Sequence, residues 1–176
     1  GRAVARGLYA RGADVTLVHD GSEVPYAEVA QVESAAEMLA AVEDAVEKAD
    51  ALVSAAAISD YTVEERPEKM RSGQDVTLDL EATPKLIDAV RTDHPALPIV
   101  GFKAETGADD ETLLERARET LERVGLAFVV ANDADVMGET ETRALLVRAG
   151  EHATVEGTKD ELGLRVADEL AADLSN

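Results

Sequence analysis

Apolar positions follow two spacings in turn, and the alternation sets out the fold. Ala3, Val4, Gly7 and Leu8 repeat at helical spacing, and Gly12 sits where a C-terminal cap belongs. Residues 1–11 therefore read as a helix already under way. Val15 to Val18 form a short continuous apolar run ending at Asp20-Gly21, the pattern of a buried strand and its turn. Ser34 and Glu37 then make a capping box, in which each residue satisfies the other's backbone N–H. Met38, Ala41, Val42, Ala45 and Ala49 continue it as one helical stripe, and Ala51 to Ala55 give the next strand.

Residues 56–75 break this rhythm. They hold Pro67 and Gly73, with Arg66, Lys69 and Arg71 among acidic neighbours, and irregular segments of this length tend to be functional or disordered. Val76, Leu78 and Leu80 alternate with polar residues, predicting a half-buried strand, and Thr83-Pro84 reads as a helix start. Ile99 to Phe102 predict a central strand, Asp110 to Val124 a helix, and Phe128 to Ala131 a further strand. Residues 144–147 and 153–155 flank Ala149-Gly150 as a hairpin. Thr158 and Glu161 repeat the capping box before a last helix that runs to about Leu174. Helix and strand in alternation predict a single α/β domain over residues 1–176. The expected architecture is a Rossmann-like three-layer fold, its central sheet mostly parallel with antiparallel strands at two places.

Composition narrows the chemistry. The chain has 176 residues and no cysteine, which excludes disulfides, thiolate metal sites and cysteine nucleophiles. No apolar run approaches the roughly 18 residues of a membrane span, and no signal peptide opens the sequence, so a cytoplasmic protein without membrane contact is expected. Thirty-seven acidic residues against 17 basic ones leave a net charge of −20, spread along the whole length. That sign disfavours nucleic acid, because phosphate contacts need Lys and Arg. It suits either a highly soluble acidic surface or a halophilic one, adapted to a salt-rich cytoplasm that screens self-repulsion. His19, His94 and His152 lie far apart and lack metal-ligand spacing, so surface or turn positions are expected and no metal ligand is named.

Ligands of open parallel sheets bind beyond the carboxyl ends of the strands, and three predicted strand ends carry unusual content. The first is Ala55-Ala56-Ala57-Ile58-Ser59-Asp60-Tyr61, where small side chains let a ligand approach the backbone and Asp60 can either accept from a ribose or stabilise a turn. The second is Gly101-Phe102-Lys103-Ala104-Glu105-Thr106, and the third Asn132-Asp133-Ala134-Asp135.

Taken in order, these segments with Pro67-Glu68-Lys69-Met70 resemble the phosphopantothenate–cysteine ligase family, the ligase half of a bifunctional decarboxylase–ligase of coenzyme A synthesis. Residues 11–18, 33–38, 78–84 and 159–162 are similar to further family segments, so the likeness covers essentially the whole chain. It implies ligation of cysteine to phosphopantothenate in two steps: the carboxylate attacks the α-phosphate of CTP, and cysteine's amine then attacks the acyl-cytidylate. Magnesium would arrive with the nucleotide. Lys69 matches the family's catalytic lysine; its other reading is a solvated surface lysine. Ala55, Ala56, Ala57, Asp60, Lys69, Phe102 and the turn Thr83-Pro84-Lys85-Leu86 match nucleotide-binding positions, with core packing the alternative for Phe102. Asn132 and Asp133 match a pair near the substrate, with a turn role the alternative.

The likeness also implies a homodimer, pairing through the part of the fold around 76–80, and an upstream flavin-binding decarboxylase domain in the parent; no flavin is assigned to this chain. The family's first strand and its Ser-Asn-Arg-Ser-Ser-Gly-Lys loop are expected immediately before Gly1, making residues 1–176 an N-terminally truncated ligase domain. Two departures stand out: Lys103 replaces the family's usual Ala, and Thr120 and Val124 stand where two lysines are common. A nicotinamide-dependent reductase on the same kind of sheet, or a non-catalytic binding relative, are the competing readings.

Overall fold

The computed structural model describes residues 1–63, 77–133 and 141–175. Its centre is a five-stranded mixed sheet in the order β3 (Leu52–Ser54), β6 (Ile99–Glu105), β7 (Phe128–Asp133), β8 (Glu141–Val147) and β9 (His152–Thr158). β3, β6 and β7 run parallel, while β8 and β9 return antiparallel. Helices α2 (Ala35–Val46), α3 (Leu86–Asp93) and α4 (Asp110–Val124) cover one face through Ile99, Val129, Ala131, Leu145 and Val147. Helices α1 (Arg2–Ala10) and α5 (Lys159–Leu174) cover the other through Val100, Phe128, Val130, Ala144 and Leu146. Neighbouring residues of β6 and β7 thus enter opposite cores, as the pleat requires, and the expected three-layer α/β fold is observed.

Local chemistry explains the element ends. Both capping boxes form: Ser34 Oγ accepts from Glu37 N–H, and Thr158 Oγ1 from Glu161 N–H. α4 begins where the Asp109 carboxylate accepts from Thr112 N–H and ends at Gly125, whose φ of 71° is left-handed. The Arg91 guanidinium donates to the carbonyls of Val124 and Gly125, tying α3 to that terminus.

α1 and α5 cross with almost no space between their backbones. A Cβ at Gly7 would overlap the carbonyl of Gly163, and one at Gly163 would overlap that of Ala3. Arg148 crosses the end of the same layer, stacked 4.8 Å from the Phe128 ring centre and bonded to Glu169 and Asp173. Burial alone would lower its pKa, but the two carboxylates outweigh that and raise it.

Two expectations are corrected. Residues 77–80 form no strand, and Leu78 and Leu80 are exposed; only β5 (Glu81–Ala82) is regular, because β4 (Tyr61–Thr62) offers it two partners. Val76 lies outside the described residues. The helix predicted from Thr83-Pro84 starts later, with Lys85 as N-cap and Leu86 first in the helix. Pro84 holds the preceding residue extended, and Thr83 N–H is committed to the Asp60 carbonyl at 2.9 Å.

β1 (Thr16–His19) pairs in parallel with β2 (Glu28–Gln31), a strand the sequence pattern did not reveal. This ribbon is separate from the main sheet. Between β1 and β3 lies a cleft of about 1730 Å³, and Leu17, Val18, Leu52 and Val53 on its two walls are only half-buried. The corresponding residues of β6 and β7 are fully buried.

Candidate functional site at the carboxyl edge of the parallel strands

β3 ends at Ser54, and residues 55–59 continue without regular structure along the mouth of the cleft. Ala55, Ala56 and Ala57 line it, and their methyl side chains leave the backbone approachable. The chain then enters the small antiparallel ribbon of β4 and β5, in which Tyr61 pairs with Ala82 and Thr62 with Glu81. The ribbon and the Thr83–Asp60 hydrogen bond bring together two positions that are distant in sequence. Thr83 and Leu86 join the alanines on the cleft wall.

α3 begins at this edge, and among the described residues no side chain caps its first turn; the N–H groups of a helix start can meet an acceptor. Thr83 Oγ1 is buried beside it, without a hydrogen-bond partner among the described residues. Pro84 and Lys85 are exposed at the same turn, and Asp60 is exposed where the ribbon starts. Of the positions expected from sequence, Ala55, Ala56, Ala57, Thr83 and Leu86 line the cleft together, with Asp60, Pro84 and Lys85 exposed nearby; small side chains and a helix start can accept a sugar and a phosphate.

The remaining expected residues are placed differently. Phe102 is half-buried against the cluster of Val100, Phe128 and Val130, on the face of α1 and α5. Asn132 lies on β7, in register with Ala104 and Ala144, and Asp133 follows it in register with Glu105. Lys69 lies outside the described residues.

Sequence reasoning missed two charged arrangements nearby. Lys103 Nζ lies 3.0 Å from Glu105 Oε1 on β6. Arg143 on β8 donates two hydrogen bonds of 2.7 Å to Asp110, and another to Glu156. The bonds to Asp110 raise the Arg143 pKa and lower that of Asp110. The strand predicted from Ile99 to Phe102 put Lys103 at a strand end, but nothing local announced Arg143, whose partner Asp110 is 33 residues away.

Residues 1–174 match the family described as the DNA/pantothenate metabolism flavoprotein C-terminal domain. The chain belongs to this family. A relative, the coenzyme A biosynthesis bifunctional protein CoaBC of Thermococcus kodakarensis, is 42% identical over 97% of this chain, which spans only 44% of that protein. Among solved structures, the DNA/pantothenate metabolism flavoprotein of Streptococcus pneumoniae superposes with a TM-score of 0.83 at 22% identity, covering 97% of this chain and 86% of its own. A Cab2 mutant in complex with phosphopantothenate-cysteine superposes with a TM-score of 0.64 at 19% identity, covering 86% and 56%. The two structural likenesses establish a shared fold; family membership rests on sequence.

Proposed function

We propose that this flavoprotein C-terminal domain is the ligase part of a parent enzyme that joins cysteine to 4'-phosphopantothenate for coenzyme A synthesis, at the expense of CTP. The observation that carries the reading is the mouth of the cleft at the carboxyl edge, where the three alanines, Thr83 and the start of α3 converge in a chain 42% identical to a CoaBC protein.

In this reading the base and ribose lie along residues 55–60, with Asp60 accepting from the ribose. The phosphates face α3's first N–H groups and Lys69. The substrate carboxylate attacks the α-phosphate, and a C–O–P linkage forms as the bond to the leaving pyrophosphate breaks. Cysteine's amine then attacks the acyl carbon, CMP departs, and the amine loses a proton. The first step brings two anions together and both build negative charge on oxygen, so fixed donors and the Lys69 cation supply most of the help. Asn132 and Asp133 flank the acyl end.

Among the described residues no three carboxylate or imidazole groups converge. Magnesium is proposed to arrive with the triphosphate, a mode in which a protein usually contributes one or two carboxylates. The metal's chemistry is to draw charge from the phosphates.

The cleft between β1 and β3 supports the expectation of one further parallel strand, placed ahead of α1, joining the two-stranded ribbon to the main sheet. The bifunctional relative supports a second, flavin-binding domain in the parent. Tyr61, Val63, Leu78 and Leu80 are 44–62% exposed around the β4–β5 ribbon, which supports a homodimer meeting there. Sedimentation of the parent as a dimer at micromolar concentration agrees with this, and a monomer contradicts it. A cytoplasmic setting is part of the same proposal. Separately, among the described residues no helix is long and apolar enough to cross a membrane.

The net charge of −20 supports a protein suited to high salt. Screening weakens the exposed ion pairs but relieves a larger excess of repulsion. The melting temperature is expected to rise between dilute buffer and molar salt; an unchanged or lower value removes the halophilic reading.

The activity is tested by incubating the parent with phosphopantothenate, cysteine, magnesium and either CTP or ATP while following pyrophosphate. Release that requires both substrates and is faster with CTP supports the ligase. Tight NADPH binding without pyrophosphate points instead to a reductase, and inertness toward every nucleotide to a non-catalytic relative.

A further inference from the structure

We infer that His19 holds the phosphopantothenate chain on the wall of the cleft opposite the nucleotide, its Nε2–H donating to a neutral oxygen of that substrate; this rests on the ligase reading above. His19 is the last residue of β1 and lines the cleft. Ligands of parallel strands lie beyond such ends. The cytidine is placed along residues 55–60, which follow β3, so the β1 wall is left to the other large substrate.

The ring is held in place, and the group it has to offer is defined. Nδ1 accepts a hydrogen bond of 3.1 Å from Gly21 N–H, which leaves the ring proton on Nε2. Gly21 is needed for that closure, because a Cβ there would overlap the ring at 2.6 Å. Nε2 is buried and has no hydrogen-bond partner among the described residues; Thr83 Oγ1, the other such side-chain atom among them, belongs to the same cleft. Buried polar atoms are paired as a rule, so an orphan on a cleft wall marks a place for an acceptor that arrives with a ligand. Low local dielectric makes the bond stronger once it forms. With Nδ1 committed and the proton on Nε2, the imidazole acts as a donor and not as the base for cysteine's amine.

Charge selects the part of the substrate it meets. Asp20, the next residue, and Glu33 also line the cleft, and carboxylates there repel a phosphate or a second carboxylate. A neutral donor beside them suits the amide of pantothenate, whose carbonyl oxygen accepts without bringing charge. Holding the middle of the chain limits where its two charged ends can reach, which helps carry the carboxylate to the α-phosphate.

The parent is compared with His19→Asn and His19→Gln. Asn keeps an acceptor for Gly21 N–H but has nothing at the distance of Nε2, whereas the longer Gln carries an N–H out to it. Pyrophosphate release is followed while each substrate is varied in turn, and the melting temperature is recorded. His19→Asn is expected to raise the KM for phosphopantothenate about 10-fold, the effect of one neutral hydrogen bond. The KM for magnesium–CTP and the melting temperature stay as in the parent, and His19→Gln restores most of the loss. A phosphopantothenate KM for His19→Asn within about twofold of the parent overturns the assignment and leaves the ligase reading intact. So does a rise in both KM values with a lower melting temperature, the mark of a purely structural residue. A parent that releases no pyrophosphate overturns the ligase reading, and this assignment with it.

Discussion

Replacing Lys69 by Ala in the parent is expected to slow acyl-cytidylate formation on the order of 10²–10³-fold, the usual cost of removing one group that stabilises charge developing in a transition state. The segment that carries Lys69 joins β4 to β5, and those strands pair with each other beside the Thr83–Asp60 hydrogen bond. Both ends of the segment are therefore anchored at the carboxyl edge, next to the proposed phosphate position. Negative charge grows on the phosphate as the carboxylate attacks, and an ammonium supplied from this segment offsets it. Rapid-quench measurement of pyrophosphate formed in a single turnover isolates that step. Arg in place of Lys should restore part of the rate, and the melting temperature should not move. A Lys69→Ala enzyme with parental single-turnover rate removes Lys69 from the chemistry.

The largest effect on stability is expected at the crossing of α1 and α5. Gly163→Ala adds a methyl directed at the Ala3 carbonyl, which is backbone and cannot rotate away. Helix propensity alone favours Ala over Gly by about 1 kcal/mol, so the two effects oppose each other. Overpacking of a rigid contact costs about 1–3 kcal/mol, and with backbone on both sides the upper end applies. The net loss for Ala is about 2 kcal/mol and is greater for Val, lowering the melting temperature by roughly 4–8 °C for Ala in a domain of this size. Thermal scans of both variants decide the matter. A higher melting temperature for Gly163→Ala means that propensity outweighs the contact and that the helices separate easily.

Some of this structure was legible in the sequence because the determining atoms are local. α4 was bounded correctly at both ends, since Asp109 supplies the cap oxygen for Thr112 and Gly125 the left-handed residue that ends the helix. The two capping boxes are likewise closed within four residues. The alternation at 76–80 misled, because alternation specifies a strand only when a partner covers one face, and Leu78 and Leu80 are uncovered in the single chain. β2 was missed for a related reason: Glu28 to Gln31 become a strand by pairing with β1, and their short mixed pattern says little by itself.

The site divides in the same way. The alanines after β3 and the turn at 83–86 were legible as motifs and lie together on the cleft wall. The hydrogen bond that draws Asp60 to Thr83 was not, because it depends on long-range closure of the ribbon. Lys103 was visible as a residue, but its ion pair with Glu105 was not.

The most direct measurement is a crystal structure of the parent bound to phosphopantothenate and a non-hydrolysable CTP analogue. The cytidine is expected along residues 55–60, the phosphates at the start of α3, and the amine of Lys69 in contact with phosphate oxygens. A triphosphate bound on another surface, with the Lys69 amine facing bulk water, contradicts it.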